Sequence, residues 1–144
     1  MQWFKTRIKG GRTEVFDPVR RKYVILTPEE EVRQIILHTL VTEHQMPAGL
    51  IAVEYALRLN GLDKRCDIVV FSTDSNPIMI VECKAQHIPI TQTVLDQVSR
   101  YNLKLGVRFL LITNGKTHYS IKIGKEGQLE FLDCIPDYSI LLQQ

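Results

Sequence analysis

The stretches "RCDIVVFS" at residues 65–72 and "PIMIVECK" at residues 77–84 predict a hairpin of two buried strands. Both runs are rich in β-branched residues, and the "TDSN" between them has the composition of a turn. The second run ends in Glu82 and Lys84, two charges that a buried strand rarely carries. Because side chains two residues apart in a strand point to the same face, these two charged groups project together.

A turn formed by residues 73–76 fixes the register of this hairpin and places Asp67 directly opposite Glu82. Directly opposed residues have Cβ atoms about 4.5–5.5 Å apart, and like charges at that spacing are destabilising. Lys84 and Arg65 form the next charged pair in this register and would neutralise part of the charge. A divalent cation would do so better, because Mg²⁺ is typically held by one or two carboxylates plus phosphate oxygens. Alternatively, these groups form only a surface salt bridge.

Upstream of the hairpin, residues 26–44 ("LTPEEEVRQIILHTLVTEH") predict an amphipathic helix with a well-defined start. Thr27 is a good N-cap, and Glu30 three residues later completes a capping box. The following segment, residues 44–54, is interpreted as a short second helix with Glu54 near its end.

The remaining elements predict an α/β fold. A strand is expected at residues 55–60, a helix capped by Thr91 at residues 91–106, a strand at residues 107–115 and a hairpin at residues 118–132. The order is helix, three meandering strands, helix, strand and hairpin. We therefore expect a mixed central β-sheet flanked by helices.

The chain has 144 residues and 44% hydrophobic content, which suits a single domain, expected at residues 27–144. Residues 1–26 are expected to form a basic, irregular N-terminal arm. Seven basic and two acidic residues fall within residues 1–22, although the net charge of the chain is only +2. Such an arm either rests on phosphates or is a solvated tail.

The sequence also excludes several classes of protein. No apolar run approaches the roughly 18 residues of a membrane helix, and the N-terminus lacks the apolar stretch of a secretion signal. Cys66, Cys83 and Cys134 form no C-x-x-C pair, so neither a zinc ribbon nor a disulfide framework is indicated. We expect a cytoplasmic protein with reduced thiols, in which Cys66 faces Cys83 across the hairpin.

Asp67, Glu82 and Lys84 together resemble the catalytic signature of the PD-(D/E)XK nuclease superfamily, whose core has the same element order. Over residues 18–138 the chain more narrowly resembles the N-terminal nuclease domain of type I restriction enzyme R subunits. The segments that carry this resemblance are "LTPEEEVRQIILHTL", "GLDKRCDIVVF", "IMIVECKA", "DQVSRYN" and "LLITNG".

The resemblance implies a restriction-endonuclease-like core and a role for each matched residue. Asp67 and Glu82 correspond to metal-binding acids, and the backbone carbonyl of Cys83 to a third ligand. Lys84 corresponds to the catalytic lysine, and Glu54 to a further catalytic and metal-binding acid. The implied cofactor is Mg²⁺, with Mn²⁺ able to substitute.

The element "QVSRY" resembles the Q-x-x-x-Y motif of one branch of the superfamily, which implies substrate contacts for Gln97 and Tyr101. The implied activity is endonuclease cleavage of DNA in a restriction-modification setting. The chain contains no G-x-x-x-x-G-K-[ST] loop, so we expect no ATP-driven motor. A homodimer or another subunit would supply specificity.

Two other functions fit the same residues. A nucleic-acid-binding or assembly module could keep this fold without cutting, and a structural protein could use the acids for salt bridges alone. Loss of cleavage in a Glu82→Ala variant would support the nuclease, whereas salt-sensitive binding without cleavage would support the module.

Overall fold

Two β-sheets and two long helices make up the computed structural model, which describes residues 1–143. The strands are β1 (Thr6–Lys9), β2 (Arg12–Asp17), β3 (Lys22–Ile25), β4 (Ile51–Leu59), β5 (Leu62–Phe71), β6 (Pro77–Cys83), β7 (Phe109–Thr113), β8 (His118–Ile123) and β9 (Leu129–Leu132). The helices are α1 (Pro28–Thr42), α2 (Gln92–Leu105) and the short α3 (Tyr138–Leu141).

The larger sheet has six strands in the order β4-β5-β6-β7-β8-β9. Only the β6–β7 pair is parallel, and α2 lies in the connection between those two strands. Helix α1 packs on one face, where Ile36 and Leu40 join the core with Val81. Helix α2 packs on the other face, where Leu95 and Leu105 join a second core. The predicted mixed sheet flanked by helices is confirmed.

The predicted helix caps are present, with one difference. The Thr27 side chain accepts a hydrogen bond from the Glu30 amide at 3.0 Å, and Thr91 accepts one from the Val94 amide at 3.3 Å. The Glu30 carboxylate, however, binds Arg20 instead of returning to the cap residue, with both oxygens 2.9 Å from the guanidinium. The predicted capping box is therefore only half formed.

The prediction of an irregular segment at residues 1–26 is wrong. Strands β1, β2 and β3 form a separate antiparallel sheet. Its strands are short, and one of its inward-facing residues is the fully buried acid Asp17, which breaks the apolar alternation expected of a strand. The Asp17 carboxylate accepts hydrogen bonds from the amides of Val19 and Arg20, at 2.8 and 3.0 Å, and so fixes the β2–β3 turn.

The predicted second helix at residues 44–54 is also wrong. Only a single 3₁₀ turn forms, at Ala48–Leu50, and β4 begins immediately after it. Ile51 and Val53 are β-branched and alternate, and a nine-residue strand paired to β5 satisfies more backbone groups than one helical turn does. Glu54 consequently lies inside a strand.

The predicted register of the β5–β6 hairpin is confirmed over three pairs, from Ile68 opposite Val81 to Val70 opposite Met79. An irregularity follows, so that Phe71 pairs with Pro77, where the predicted turn would have used Ser72. The amide of Ser72 instead donates to the carbonyl of Asn76 at 2.8 Å and closes the turn.

Candidate active site

The buried side of strand β4 switches from one face of the sheet to the other at Glu54. Ile51 and Val53 pack in the core beneath α1, whereas Leu57 packs in the core beneath α2. All three have the same parity along the strand and would share a face if the strand were regular. Glu54 absorbs the change with a left-handed φ of +52°, which costs a non-glycine residue roughly 1–2 kcal/mol.

The core-facing side of strand β5 reverses at Asp67, next to the one place where the β4–β5 ladder skips a pair, between Val53–Ile68 and Tyr55–Cys66. Cys66 belongs to the core beneath α2, and Ile68, its neighbour but one, belongs to the core beneath α1. The last β5–β6 pair is Ile68 with Val81, and beyond it the Asp67 carboxylate accepts a hydrogen bond from the Cys83 amide at 2.7 Å. A side chain thus replaces the backbone ladder at the point where the two strands part.

This turn-over corrects the prediction for the two thiols. Cys66 and Cys83 are both buried and free, as expected. They lie in different cores, on opposite faces of the sheet, and so do not face one another. A regular hairpin would have placed them on one face; the reversal at Asp67 moves Cys66 to the α2 side.

Glu82 lies on the α2 side of the sheet. Its neighbours Val81 and Cys83 belong to the α1 core, while Ile80, two residues before it, belongs to the α2 core. Lys64 places its ammonium 2.7 Å from the Glu82 carboxylate. Burial raises the pKa of Glu82, and the charge of Asp67 raises it further against the opposing effect of Lys64.

Arg33 of α1 is the cation on the other side of the acids. Its guanidinium lies 3.1 Å from a Glu54 oxygen and 3.3 Å from an Asp67 oxygen, and it is anchored to Glu30 at 2.8 Å. The predicted neutralising pair of Arg65 with Lys84 does not form. Arg65 pairs with Ala56 of β4, because β5 has parted from β6 before that position. Within the described residues its guanidinium has one ion pair, with Glu54 at 3.6 Å.

The ion pairs continue from α1 into the small sheet. Arg20 contacts both the buried Asp17 at 2.6 Å and Glu30 at 2.9 Å, and it lies 3.8 Å from Glu54. A line of alternating charges therefore links the small sheet to the acids of the large sheet.

Lys84 immediately follows β6. Its backbone amide donates to the carbonyl of Thr113 at 2.8 Å, which extends the contact with β7 by one residue. The side chain is partly exposed. Its charge lowers the pKa of Glu82, although burial and Asp67 outweigh it. Among residues 1–143 it has no carboxylate within 4.0 Å, so its ammonium is available to another anion.

Gln97 and Tyr101 of α2 line a cleft of about 360 Å³ together with Lys64 and Arg65. The Tyr101 hydroxyl donates to the carbonyl of Asp63, and its ring centroid is 5.6 Å from the Lys64 ammonium. Both residues of the predicted element thus lie beside the cation that contacts Glu82.

The donor set suits a hard cation in chemical kind, because Glu54, Asp67 and Glu82 offer carboxylate oxygens from three adjacent strands. Within residues 1–143, however, no three Asp, Glu, His or Cys side chains are close enough to hold a metal ion. Arg33 and Lys64 supply the positive charge instead. A bound cation would have to share these carboxylates with the two basic side chains, or displace them.

The sequence interpretation missed two residues of the site, Arg33 and Lys64, although the sequence carries a signal for each. Arg33 sits on the buried face of an amphipathic helix with only 8% of its side chain exposed, where an unpaired charge would be costly. That position predicts a buried acidic partner. Lys64 gave a weaker signal, because it falls in the "GLDK" turn when strand β5 is taken to begin at residue 65.

Comparison with known families agrees with this fold. The model for the type I restriction enzyme R protein N terminus (HSDR_N) matches residues 28–136. The chain belongs to this family. The matched range contains Glu54, Asp67, Glu82 and Lys84 as well as Arg33 and Lys64, and it excludes the small N-terminal sheet. No curated protein matches the chain.

Two solved structures share the fold. One is a fragment of a candidate HsdR subunit of a type I restriction enzyme from Vibrio vulnificus YJ016, with a TM-score of 0.59 and 22% identity over 81% of this chain. The chain spans only 24% of that protein's chain. The other is a candidate nuclease belonging to DUF820 from Anabaena variabilis ATCC 29413, with a TM-score of 0.53 and 12% identity over 96% of this chain and 84% of that one.

No helix within the described part of the chain is both long and apolar enough to cross a membrane.

Proposed function

We propose that the protein is a metal-dependent endonuclease that hydrolyses phosphodiester bonds in DNA, in a restriction-modification setting and without a motor of its own. The observation that carries this proposal is that Glu54, Asp67 and Glu82 lie on three adjacent strands where β6 parts from β5, so that the charge of Asp67 acts on Glu82 although the two acids face different helices. Left-handed backbone at a non-glycine residue and a buried acid with a raised pKa are features that cluster at active sites.

In this proposal Asp67, Glu82 and the Cys83 carbonyl would hold Mg²⁺ or Mn²⁺, with Glu54 beside them, once Arg33 and Lys64 give up their contacts. The cation would supply charge neutralisation at the phosphate and an acidified water. Arg33 and Lys64 balance the negative charge of these acids before the cation binds, which limits their mutual repulsion.

The other side chains bind and orient the substrate. Lys84, which has no carboxylate within 4.0 Å among the described residues, would bring its ammonium to the phosphoryl group as negative charge grows there. Tyr101 holds the strand around Asp63 and lies against Lys64, so it positions the cation that contacts Glu82. Gln97 lines the same cleft, where its amide can hydrogen-bond the substrate.

The second candidate is a DNA-binding or assembly module that does not cut. It is favoured by one observation, namely that Arg33 and Lys64 already occupy the carboxylates a metal ion would need. If those contacts persist in the presence of Mg²⁺, the site holds the fold together and performs no hydrolysis.

The test is cleavage of supercoiled plasmid and of single-stranded DNA in Mg²⁺, Mn²⁺ or EDTA. Glu82→Gln and Lys84→Met should each lower the rate by about a hundredfold or more, since each removes a group that acts on charge in the transition state. Asp74→Asn is the matched control, because that acid is exposed in the β5–β6 turn, at the other end of the hairpin from Asp67 and Glu82. Metal-independent nicking, or equal rates in Glu82→Gln and the control, would contradict the proposal.

A further inference from the structure

We propose that the small N-terminal sheet is a docking surface for double-stranded DNA, with the β1–β2 hairpin lying in a groove of the duplex. This inference rests on the proposed function, since it names the form of DNA that reaches the same site. The surface, called the basic sheet below, is defined by the exposed cations Lys5, Lys9, Arg12, Arg21 and Lys22.

The charges of the basic sheet are not neutralised within the described chain. Arg7 and Arg20 of the same region have acidic partners, Glu14 and Asp17, at 2.7 and 2.6 Å. None of the five cations that define the surface has a carboxylate within 4.0 Å among residues 1–143. They give both ends of the small sheet a net positive charge, Lys9 and Arg12 at the β1–β2 tip and the other three near the β2–β3 turn, which an external polyanion can complement.

The tip of the β1–β2 hairpin carries two like charges that an anion would stabilise. Lys9 and Arg12 are directly opposite one another in the β1–β2 ladder. Opposed residues in an antiparallel pair have Cβ atoms about 4.5–5.5 Å apart, so two like charges there destabilise the hairpin. A phosphate placed between them would turn this repulsion into attraction.

The shape of the hairpin allows such an approach. Gly10 and Gly11 form its turn with φ values of +58° and +77°, and a Cβ added to either glycine would have no neighbour within 4 Å. β1 is an edge strand and all four of its residues are exposed, including Ile8 at 79%. The major groove of B-DNA admits a two-stranded β-ribbon, and an exposed apolar side chain there can contact thymine methyl groups.

The aromatic residues of this region point to a duplex and not to a single strand. Proteins that bind single strands stack bases on exposed aromatic rings. Here Trp3 and Phe4 pack on His38, with centroids 5.2 and 5.1 Å apart, and Phe16 packs on Tyr23 at 5.3 Å. Trp3, Phe16 and Tyr23 are half-buried, and Phe4, although 48% exposed, contacts the His38 ring, so phosphate and groove contacts are the main means of binding.

The basic sheet is also connected to the acids of the large sheet. Arg20, in the β2–β3 turn, contacts the buried Asp17 of β2 and Glu30 of α1, and lies 3.8 Å from Glu54. Since the docking surface and the acids share this buried ion-pair line, a duplex held by the hairpin is held at a fixed position relative to them. The expected partner is DNA and not RNA, because the major groove of A-form RNA is too narrow for a β-ribbon.

The experiment measures binding of the full chain by fluorescence anisotropy, in EDTA, to a mixed-sequence DNA duplex of about 30 base pairs, its single strand and the RNA duplex of the same sequence. Lys9→Gln/Arg12→Gln should weaken DNA-duplex binding by about tenfold at moderate salt and reduce the salt slope by about two. Lys104→Gln/Lys125→Gln is the matched control, since it removes the same charge from exposed residues at the end of α2 and in the β8–β9 turn.

Equal weakening in the hairpin variant and the control would overturn the inference, and so would tighter binding of the single strand or of the RNA. Because the assay contains no metal ion, it separates this inference from the proposed function. Duplex binding through the hairpin without any cleavage refutes the nuclease alone, and Glu82-dependent cleavage with unchanged hairpin-variant binding refutes the docking surface alone. Circular dichroism should show an unchanged fold, because both substituted side chains are exposed.

Discussion

The acids of the large sheet occupy two different environments, one on each face. Glu54 and Asp67 face α1, where Arg33 contacts both from a helix that is itself anchored to Glu30. Glu82 faces α2, where its cation is Lys64, a flexible side chain from β5. The α1 side is held by a planar guanidinium that contacts three carboxylates, whereas the α2 side is held by a single ammonium.

The two environments shift the pKa of a glutamate in opposite directions, down for Glu54 and up for Glu82. Burial raises the pKa of Glu54, but the charges of Arg33, Arg20 and Arg65 outweigh it, so the net pKa is lowered. Burial and the charge of Asp67 raise the pKa of Glu82 beyond what Lys64 can reverse. One side therefore provides a permanently charged scaffold, and the other provides an acid whose charge responds to pH and to an added cation.

The largest expected effect comes from breaking the α1 side. Arg33→Met should lower the free energy of unfolding by about 3 kcal/mol, because it removes a buried cation from Asp67, whose ion pair among residues 1–143 is with Arg33, and leaves Arg20 to neutralise Glu30. Arg33→Lys should recover only part of the loss, since an ammonium cannot contact three acids in one plane. Urea unfolding followed by circular dichroism measures both changes.

Arg65→Met is the matched control for this experiment. Arg65 contacts the same Glu54 at 3.6 Å, but 70% of its side chain is exposed. An exposed ion pair contributes about 0–1 kcal/mol, so this variant should unfold almost like the wild type. If both arginine variants lose a similar free energy of unfolding, the buried ion pairs of Arg33 are no stronger than the exposed ion pair of Arg65.

The sequence alone predicted the order of elements from β5 onward but not this division of the acids. The apolar, β-branched runs at 65–72 and 77–84 and the turn between them were enough to find the hairpin and three pairs of its register, whereas the predicted Asp67–Glu82 pair does not form. The reversal of the core-facing side at Glu54 and Asp67 could not be predicted in this way. No hydrophobic pattern indicates that a glutamate adopts a left-handed backbone conformation. The cations that neutralise the acids come from α1 and from the start of β5, and contacts of that range depend on packing.

A smaller effect tests whether the turn-over at Glu54 is strained. Glu54→Gly and Glu54→Ala both remove the carboxylate from Arg33, but only glycine adopts a φ of +52° freely. The glycine variant should therefore be more stable than the alanine variant by about 1 kcal/mol in urea unfolding. At Arg65, a regular β5 position, the order should reverse, because glycine weakens an ordinary strand. Alanine being the more stable at both positions would show that β4 relaxes around residue 54.

The smallest expected effect concerns the α2 side and has a distinctive pH dependence. An acid whose pKa is raised in the folded chain binds its proton more tightly there than when unfolded. Its contribution to stability is complete below the ordinary value of 4.5 and is lost as the pH rises through the raised pKa. Relative to wild type, Glu82→Gln should therefore become progressively more stable as the pH rises from about 4 to about 8.

Melting temperatures of the two proteins across this pH range provide the measurement, with Glu126→Gln in the exposed β8–β9 turn as the control. The control should show no trend of this kind, because its carboxylate is solvated in both states. If the melting temperature of Glu82→Gln instead falls relative to wild type as the pH rises, Lys64 lowers the pKa of Glu82 as Arg33 lowers that of Glu54. If the melting temperature of Glu82→Gln rises relative to wild type, the charged form of Glu82 lowers the stability of the fold. That result is expected of an acid that serves to bind a cation and not to stabilise the sheet.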